Sequence, residues 1–321
     1  MLHVEIGRLI KEEDNFAIAS HTSPDGDSMG SMLGLYNTLK SIGKKVDLFI
    51  DDVLPDKYSF LPGFQDIRTP EKNGQYSCFF VLDCGDEERL GQASNIISSS
   101  KRVINIDHHI SNKLFGHLNI VDSNASSTGE MIYQILKING FEISKDTAAC
   151  LYTSMLTDTG GFRYSNTTSM TFSIAGDLIN TGIDFTEINS LIFDKKSVSQ
   201  VKLMSKVTST LEMYVDGRVS IINVTREMLN ECGAKDEDAE ELVNIAREID
   251  GVEVAVFIKE KEEEKYKISL RSKHYVDVRK IAETFGGGGH IRAAGCTIIG
   301  SLDDVKEKLI NEIKGYMDVN R

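Results

Sequence analysis

Four short segments of this chain concentrate side chains that coordinate divalent cations. They are His21-Thr22-Ser23-Pro24-Asp25-Gly26-Asp27, Asp83 closing the run CFFVLD, Asp107-His108-His109 closing VINID, and Asp158 within LTDTGGF. A lone aspartate at a strand end commonly serves as a helix cap or turn residue, and HTSPDGD alone suits a turn. Several strands that all end in Asp or His argue for more. Carboxylates and imidazoles crowded together repel one another and desolvate at a cost that bound dications remove. A mixed imidazole and carboxylate set favours a borderline ion over Mg²⁺, whose sites are mostly oxygen. Ligand imidazoles must be neutral, so metal affinity should fall as pH drops toward about 6.

The elements that must position these residues can be outlined from pattern. Asn15–His21, Lys45–Ile50, Cys78–Asp83 and Val103–Asp107 are short apolar or β-branched runs, and helical spacing fills Ser28–Ile42, Glu88–Ser98 and Thr128–Ile138. Strands alternating with helices predict βαβ units and a mostly parallel sheet flanked by helices, with ligand sites at the carboxyl ends of the strands. Between Asp184 and Thr210 the strand signal stops, and a stretch without Gly or Pro predicts a helical connector. Beyond it, Leu211–Tyr214 and Val219–Val224 suit strands and Ala239–Ile249 a helix. Val252–Ile258 and Tyr266–Arg271 suit a hairpin whose tip is the charge run KEKEEEK. The chain continues with Val278–Phe285, a glycine run at Gly286–Gly289 and an amphipathic helix over Leu302–Met317. The expected fold is α/β throughout, with a smaller α/β C-terminal domain.

Composition narrows the function classes. The chain has 321 residues, 36 Lys and Arg against 49 Asp and Glu, and a formal charge of −13. That length exceeds what one core usually fills, and the acidic balance supplies no global positive field for wrapping long duplex DNA. No apolar run approaches 18 residues, so no membrane partner is expected. Five scattered cysteines without a CxxC pair argue against a disulfide framework or thiolate zinc site, and a cytoplasmic setting is expected.

HxxPDxD, a strand-terminal Asp, DHH and TDTGxF, in that order, resemble the DHH phosphoesterase superfamily. The segment Phe285–Gly295, FGGGGHIRAAG, is similar to the glycine-rich signature of the DHH-associated domain. Together these motifs span nearly the whole chain, and its compact size most resembles the oligoribonuclease and pAp-phosphatase (NrnA-like) branch. The resemblance implies a DHH catalytic domain over 1–184, a connector over 185–210 and a substrate-binding domain over 211–321, with a cleft between the two domains. It implies that His21 and Asp25 ligate one metal, that Asp27, His108 and Asp158 ligate the second, and that Asp83 is shared. Asp107 resembles a supporting or ligand Asp and His109 a substrate-side or supporting His, so that Asp107, His108 and His109 are the expected catalytic group. Two ions roughly 3.5–4 Å apart can share and acidify a water while screening a phosphate. Mn²⁺ is the expected metal, with Co²⁺ or Fe²⁺ as alternatives.

Substrate selection needs other residues. Gly287, Gly288 and Gly289 offer backbone that approaches a phosphate closely; with His290 and Arg271 they resemble the family's phosphate or sugar clamp. Arg163, five residues after Asp158, is a further candidate phosphate contact. Ser127-Thr128-Gly129 opens a helix whose N–H groups suit an anion, although plain capping explains it as well. The resemblance implies hydrolysis of very short RNA to nucleoside 5′-monophosphates and of pAp to AMP and phosphate. A linear dinucleotide phosphodiesterase (pApA or pGpG), a single-strand exonuclease and a silent nucleotide-binding protein are the alternatives. The partner is a short RNA or nucleotide, and a homodimer stays open.

Overall fold

The runs NFAIA and CFFVL carry no polar residue after their first position, as strands buried on both faces must. In the computed structural model, which describes residues 2–70, 74–239 and 242–319, both lie central in a sheet. Contacts gather into two units, Met1–Lys195 and Lys196–Arg321.

The first unit begins with α1 (Leu2–Glu12), β1 (Asn15–Ala19), α2 (Gly26–Ser41), β2 (Lys45–Phe49), β3 (Ile67–Arg68) and β4 (Cys78–Leu82). It continues with α3 (Asn95–Ser98), β5 (Val103–Asp107), β6 (Leu118–Val121), α4 (Thr128–Ile138), α5 (Lys145–Asp158), α6 (Ser169–Asn180) and α7 (Phe185–Asn189). The six strands run in the order β3-β2-β1-β4-β5-β6, every neighbouring pair parallel. Chain direction across the sheet reverses between β1 and β4, and such a switch point opens a crevice at the strands' carboxyl ends. Ile18, Phe80, Leu82 and Ile104 pack with residues of α1, α2, α4 and α5 on one face. Ala17, Phe79 and Val81 pack with Leu90, Ala93 and Ile96 on the other. The Ser20 hydroxyl donates to the Leu82 carbonyl at 2.7 Å and ties the two strand ends together at the switch point.

The second unit holds α8 (Val198–Thr208), β7 (Glu212–Tyr214), β8 (Val219–Val224), α9 (Arg226–Cys232), α10 (Val243–Glu248), β9 (Val254–Glu262) and β10 (Lys265–Ser272). It ends with α11 (Val278–Thr284), β11 (Gly288–Gly289), β12 (Ala293–Ile299) and α12 (Leu302–Val319). Its sheet runs β11-β12-β10-β9-β8-β7, antiparallel except for the β8–β9 pair.

Several expectations are corrected. Glu88–Ser98 is not one α-helix: Glu87–Ser94 is 3₁₀, broken at Gly91 (φ 56°), before the single turn of α3. The stretch 184–210 is α7, a π-turn over Ser190–Asp194 and then α8, with a break at Lys195–Ser197 where the Ser197 side chain caps α8. The charge run of the hairpin is mostly strand, with only Glu263 and Glu264 in the turn. Lys259 is 5% exposed there and donates to the Asp236 carbonyl at 2.7 Å, which lets a charged residue continue a buried strand. Of the helix expected over Ala239–Ile249, residues 240–241 lie outside the described residues, and α10 supplies its later part.

Candidate metal centre

Each predicted ligand leaves its element at the same edge of the first unit. His21 follows β1 by two residues, Asp83 follows β4 by one, and Asp107 ends β5 with His108 and His109 beyond it. Asp25 caps α2, its carboxylate accepting from the Ser28 amide at 3.0 Å, and Asp27 lies in the first turn. Asp158 is the last residue of α5, so its carboxylate lies at the negative end of a helix dipole, a place that asks for a cation. Asp83 adopts φ 52°, a left-handed conformation that costs of order 1 kcal/mol or more and recurs at functional sites.

These side chains form interlocking groups. His21, Asp25 and Asp83 offer ligand atoms that all lie within 4.8 Å of one another; so do Asp27, His108 and Asp158, and so do Asp83, His108 and His109. The first two groups are the two ligand sets expected from the sequence, with Asp83 in the first and reaching the second through His108. His108 Nε2 lies 3.5 Å from Asp27 Oδ2, 3.7 Å from Asp83 Oδ1 and 3.8 Å from Asp158 Oδ2. His21 Nε2 lies 3.5 Å from Asp83 Oδ2. Histidines supply the close ion-pair partners of Asp27, Asp83, Asp107 and Asp158.

A surrounding layer fixes the orientation of each group. His21 Nδ1 lies 2.7 Å from the Thr22 carbonyl; donating there leaves Nε2 as a lone-pair ligand, the arrangement metal-binding histidines adopt. Asp27 accepts from the amides of Thr128 (2.7 Å) and Gly129 (3.1 Å) and from the Ser154 hydroxyl. The anion at the start of α4 is therefore Asp27 itself, while Ser127 caps the helix through the Glu130 amide. Thr128 Oγ1 also donates to Asp83 Oδ1 at 3.2 Å. Fully buried Asp107 sits 2.6 Å from His109 Nδ1 and accepts from Asn112 Nδ2 at 2.6 Å. Asn166 donates to Asp158 Oδ2 at 3.2 Å and to the Ser126 carbonyl at 2.9 Å. Sequence reasoning singled out Ser127-Thr128-Gly129 as a place for an anion but missed Asn112, Ser154 and Asn166; nothing local to these three shows that the fold returns them to the cluster.

Electrostatics follow from burial and crowding. Burial and then the Asp83 charge push Asp27 well above the ordinary carboxylate range. Burial, with Asp83 and Asp25 nearby and His108 opposing, raises Asp158 to about 7. Burial opposes the His108 cation, yet Asp27, Asp158 and Asp83 outweigh it and raise His108 to about 9. Burial also opposes charge on His21 and His109, but hydrogen bonds to Asp83 and Asp107 respectively bring both above the ordinary value. Asp83 runs opposite: burial would raise it, but His21, His109 and His108 hold it well below the usual range. Crowded carboxylate oxygens and imidazole nitrogens, most of them buried, fit divalent cations.

The remaining candidates fall in two places. Arg163 is exposed in the turn after α5, its Nε donating to the Gly160 carbonyl at 2.7 Å. Arg271, Gly287, Gly288, Gly289 and His290 line one cavity of about 840 Å³ in the second unit. A Cβ on Gly287 would meet the Gly295 carbonyl at 2.2 Å, and Gly289 has φ 141°, so the loop's path next to β12 excludes side chains.

With this geometry established, similarity to known proteins becomes informative. Residues 15–155 match the DHH family, N-terminal domain, and residues 220–318 match the DHHA1 domain. The chain is 35% identical over 299 residues to the bifunctional oligoribonuclease and PAP phosphatase NrnA of Thermus thermophilus, spanning 92% of this chain and 88% of that one. It is 28% identical to the protein of the same name in Bacillus subtilis, over 92% of this chain and 93% of the relative. An exopolyphosphatase-related protein from Bacteroides fragilis superposes with a TM-score of 0.94 at 30% identity, covering 99% of this chain and 97% of that one. The chain belongs to the DHH family, its DHH N-terminal domain followed by a DHHA1 domain, in company with relatives named NrnA.

Proposed function

We propose that this protein is a Mn²⁺-dependent phosphoesterase that hydrolyses very short oligoribonucleotides to nucleoside 5′-monophosphates, and pAp to AMP and phosphate. The observation that carries the proposal is the pair of three-residue groups of ligand atoms, linked by the approach of His108 to Asp83. The names of the relatives, oligoribonuclease and PAP phosphatase, support the substrate class.

Two ions would be held by His21, Asp25 and Asp83 and by Asp27, His108 and Asp158. When bound, they neutralise charge on the phosphoryl group and acidify water. The chain's own residues do the rest. Helix α4 and Ser154 fix Asp27, and Thr128 fixes Asp83, so the carboxylates need no reorganisation as the reaction proceeds. Asp107 holds the His109 ring and favours its protonated form, which makes His109 the proton donor to the leaving oxygen. Arg271, His290 and the Gly287–Gly289 backbone bind substrate phosphate in the second unit, and Arg163 is a candidate phosphate contact in the first. Mn²⁺ fits the nitrogen and oxygen donor set better than Mg²⁺, and a cytoplasmic setting is part of the same proposal.

The experiment is product analysis on pAp with Mn²⁺ and with EDTA. AMP and phosphate are expected with Mn²⁺ alone; phosphate release that persists in EDTA, or none with Mn²⁺, would reject the reading.

A further inference from the structure

The sheet of the second unit is covered unequally. On one face, Ile268, Leu270, Ala294, Cys296 and Ile298 pack with residues of α11 and α12 along β10 and β12. On the other, Ile222, Val224, Ala255 and Phe257 pack with residues of α8, α9 and α10, but only over β8 and β9. The same side of β10 and β12 stays open, and burial alternates along both strands as it must when one face is bare. Lys267, Ser269 and Arg271 occupy this open face at two-residue intervals. Opposite them in β12 stand Thr297, Gly295 and Ala293, which are small or short. The result is a bare floor, edged by the glycine loop and His290, within the cavity already described.

Lysines often appear on sheets to protect an edge, but β10 lies between β12 and β9, so Lys267 protects none. It is exposed, and among the described residues its ammonium has no carboxylate partner. Lys261 and Lys265, which also line the cavity, are instead paired with Asp236 and Glu262. Four residues of strand separate Lys267 from Arg271, about 13 Å at the antiparallel rise. That backbone spacing exceeds one nucleotide step, which favours a strand longer than a dinucleotide across the two positions.

We propose that this open half-face is a subsite for the backbone of single-stranded RNA, in which Lys267, with Ser269, binds a phosphate distal to the one held at Arg271 and His290. It rests on the short-RNA reading above and extends it, making Lys267 a determinant of length preference.

The test uses Mn²⁺-loaded protein and fluorescein-labelled phosphorothioate RNA of two and five nucleotides, read by anisotropy over a salt series. Lys267→Ala is compared with Lys280→Ala, which removes the same charge from α11. The expected result is about tenfold weaker five-mer binding for Lys267→Ala, a smaller loss for the dimer, and a log–log salt slope shallower by about 0.7. Lys267→Arg should restore the slope. Equal Kd and slope for the two alanine variants at both lengths would overturn the inference. Hydrolysis of ordinary five-mer RNA is measured in parallel. Cleavage with an unaffected Lys267→Ala variant rejects only the subsite. Binding that depends on Lys267 without cleavage rejects the proposed function and leaves the subsite standing.

Discussion

At the residue scale, the proposed metal centre sets protons against cations. Asp158 rises from an ordinary 3.8 to about 7, so its ionisation costs stability that is still intact below 4 and is lost by 7. His108 rises from 6.5 to about 9, so its stabilising protonation is complete below 6.5 and lost as pH climbs through 9. Both shifts therefore make metal-stripped protein less stable as pH rises from 5 to 9. Asp83 has the opposite sign, but its window lies below the ordinary carboxylate range. Calorimetric melts should show Tm of chelated protein falling across this interval while the increment from added Mn²⁺ grows; a pH-independent increment would contradict the coupling. Asp83→Asn keeps a side chain that tolerates positive φ but removes the charge both proposed ligand groups need, so activity should fall at least 100-fold. The chelated protein's Tm should fall too at neutral pH, because His21, His108 and His109 lose the carboxylate they hold ionised. Asn112→Ala, which frees Asp107 and with it His109, should cost about 10–100-fold in kcat, the usual size for a supporting contact. The candidate ligands could be read from sequence because borderline-metal chemistry favours Asp and His. Asn112 and Asn166 could not, because asparagine five or eight residues from an aspartate has many ordinary uses.

At the element scale, the site depends on how closely α2 and α5 approach. Gly26, Gly30 and Gly34 form a stripe on α2, and a Cβ at Gly30 would lie 2.5 Å from the Cys150 carbonyl and 2.7 Å from Ser154. That contact brings Ser154 to Asp27 and places Asp158 beside it. Gly30→Ala should cost about 1–3 kcal/mol through overpacking, despite alanine's better helix propensity, and should weaken Mn²⁺ binding as α5 is displaced. Gly176→Ala in α6, where the added methyl meets nothing within 4 Å, should instead be neutral or stabilising by up to about 1 kcal/mol. Thermal melts of the pair with and without Mn²⁺ decide this, and equal effects would refute the packing argument. The parallel sheet was readable because β1 and β4 are unbroken apolar runs bounded by polar turns. The hairpin was misjudged because Lys259 looks solvent-facing until its partner Asp236, 23 residues earlier, is in place.

At the scale of the whole molecule, acidity and substrate length are connected. The formal charge of −13 includes Asp25, Asp27, Asp83, Asp107 and Asp158, which crowd into one cluster. Two dications would offset four of those charges and leave the protein acidic, which disfavours a long polyanion lying across its surface. The second unit meanwhile offers a cavity lined by Lys261, Lys265, Lys267 and Arg271, with Glu262 among its other lining residues. The most direct test is the rate of nucleoside 5′-monophosphate release from RNA of two, five and 24 nucleotides, with Mn²⁺ or with EDTA. Faster turnover of the two short substrates than of the 24-mer, abolished by EDTA, is the expected result. Equal or faster turnover of the 24-mer, or release that survives chelation, would contradict a two-metal enzyme for short RNA.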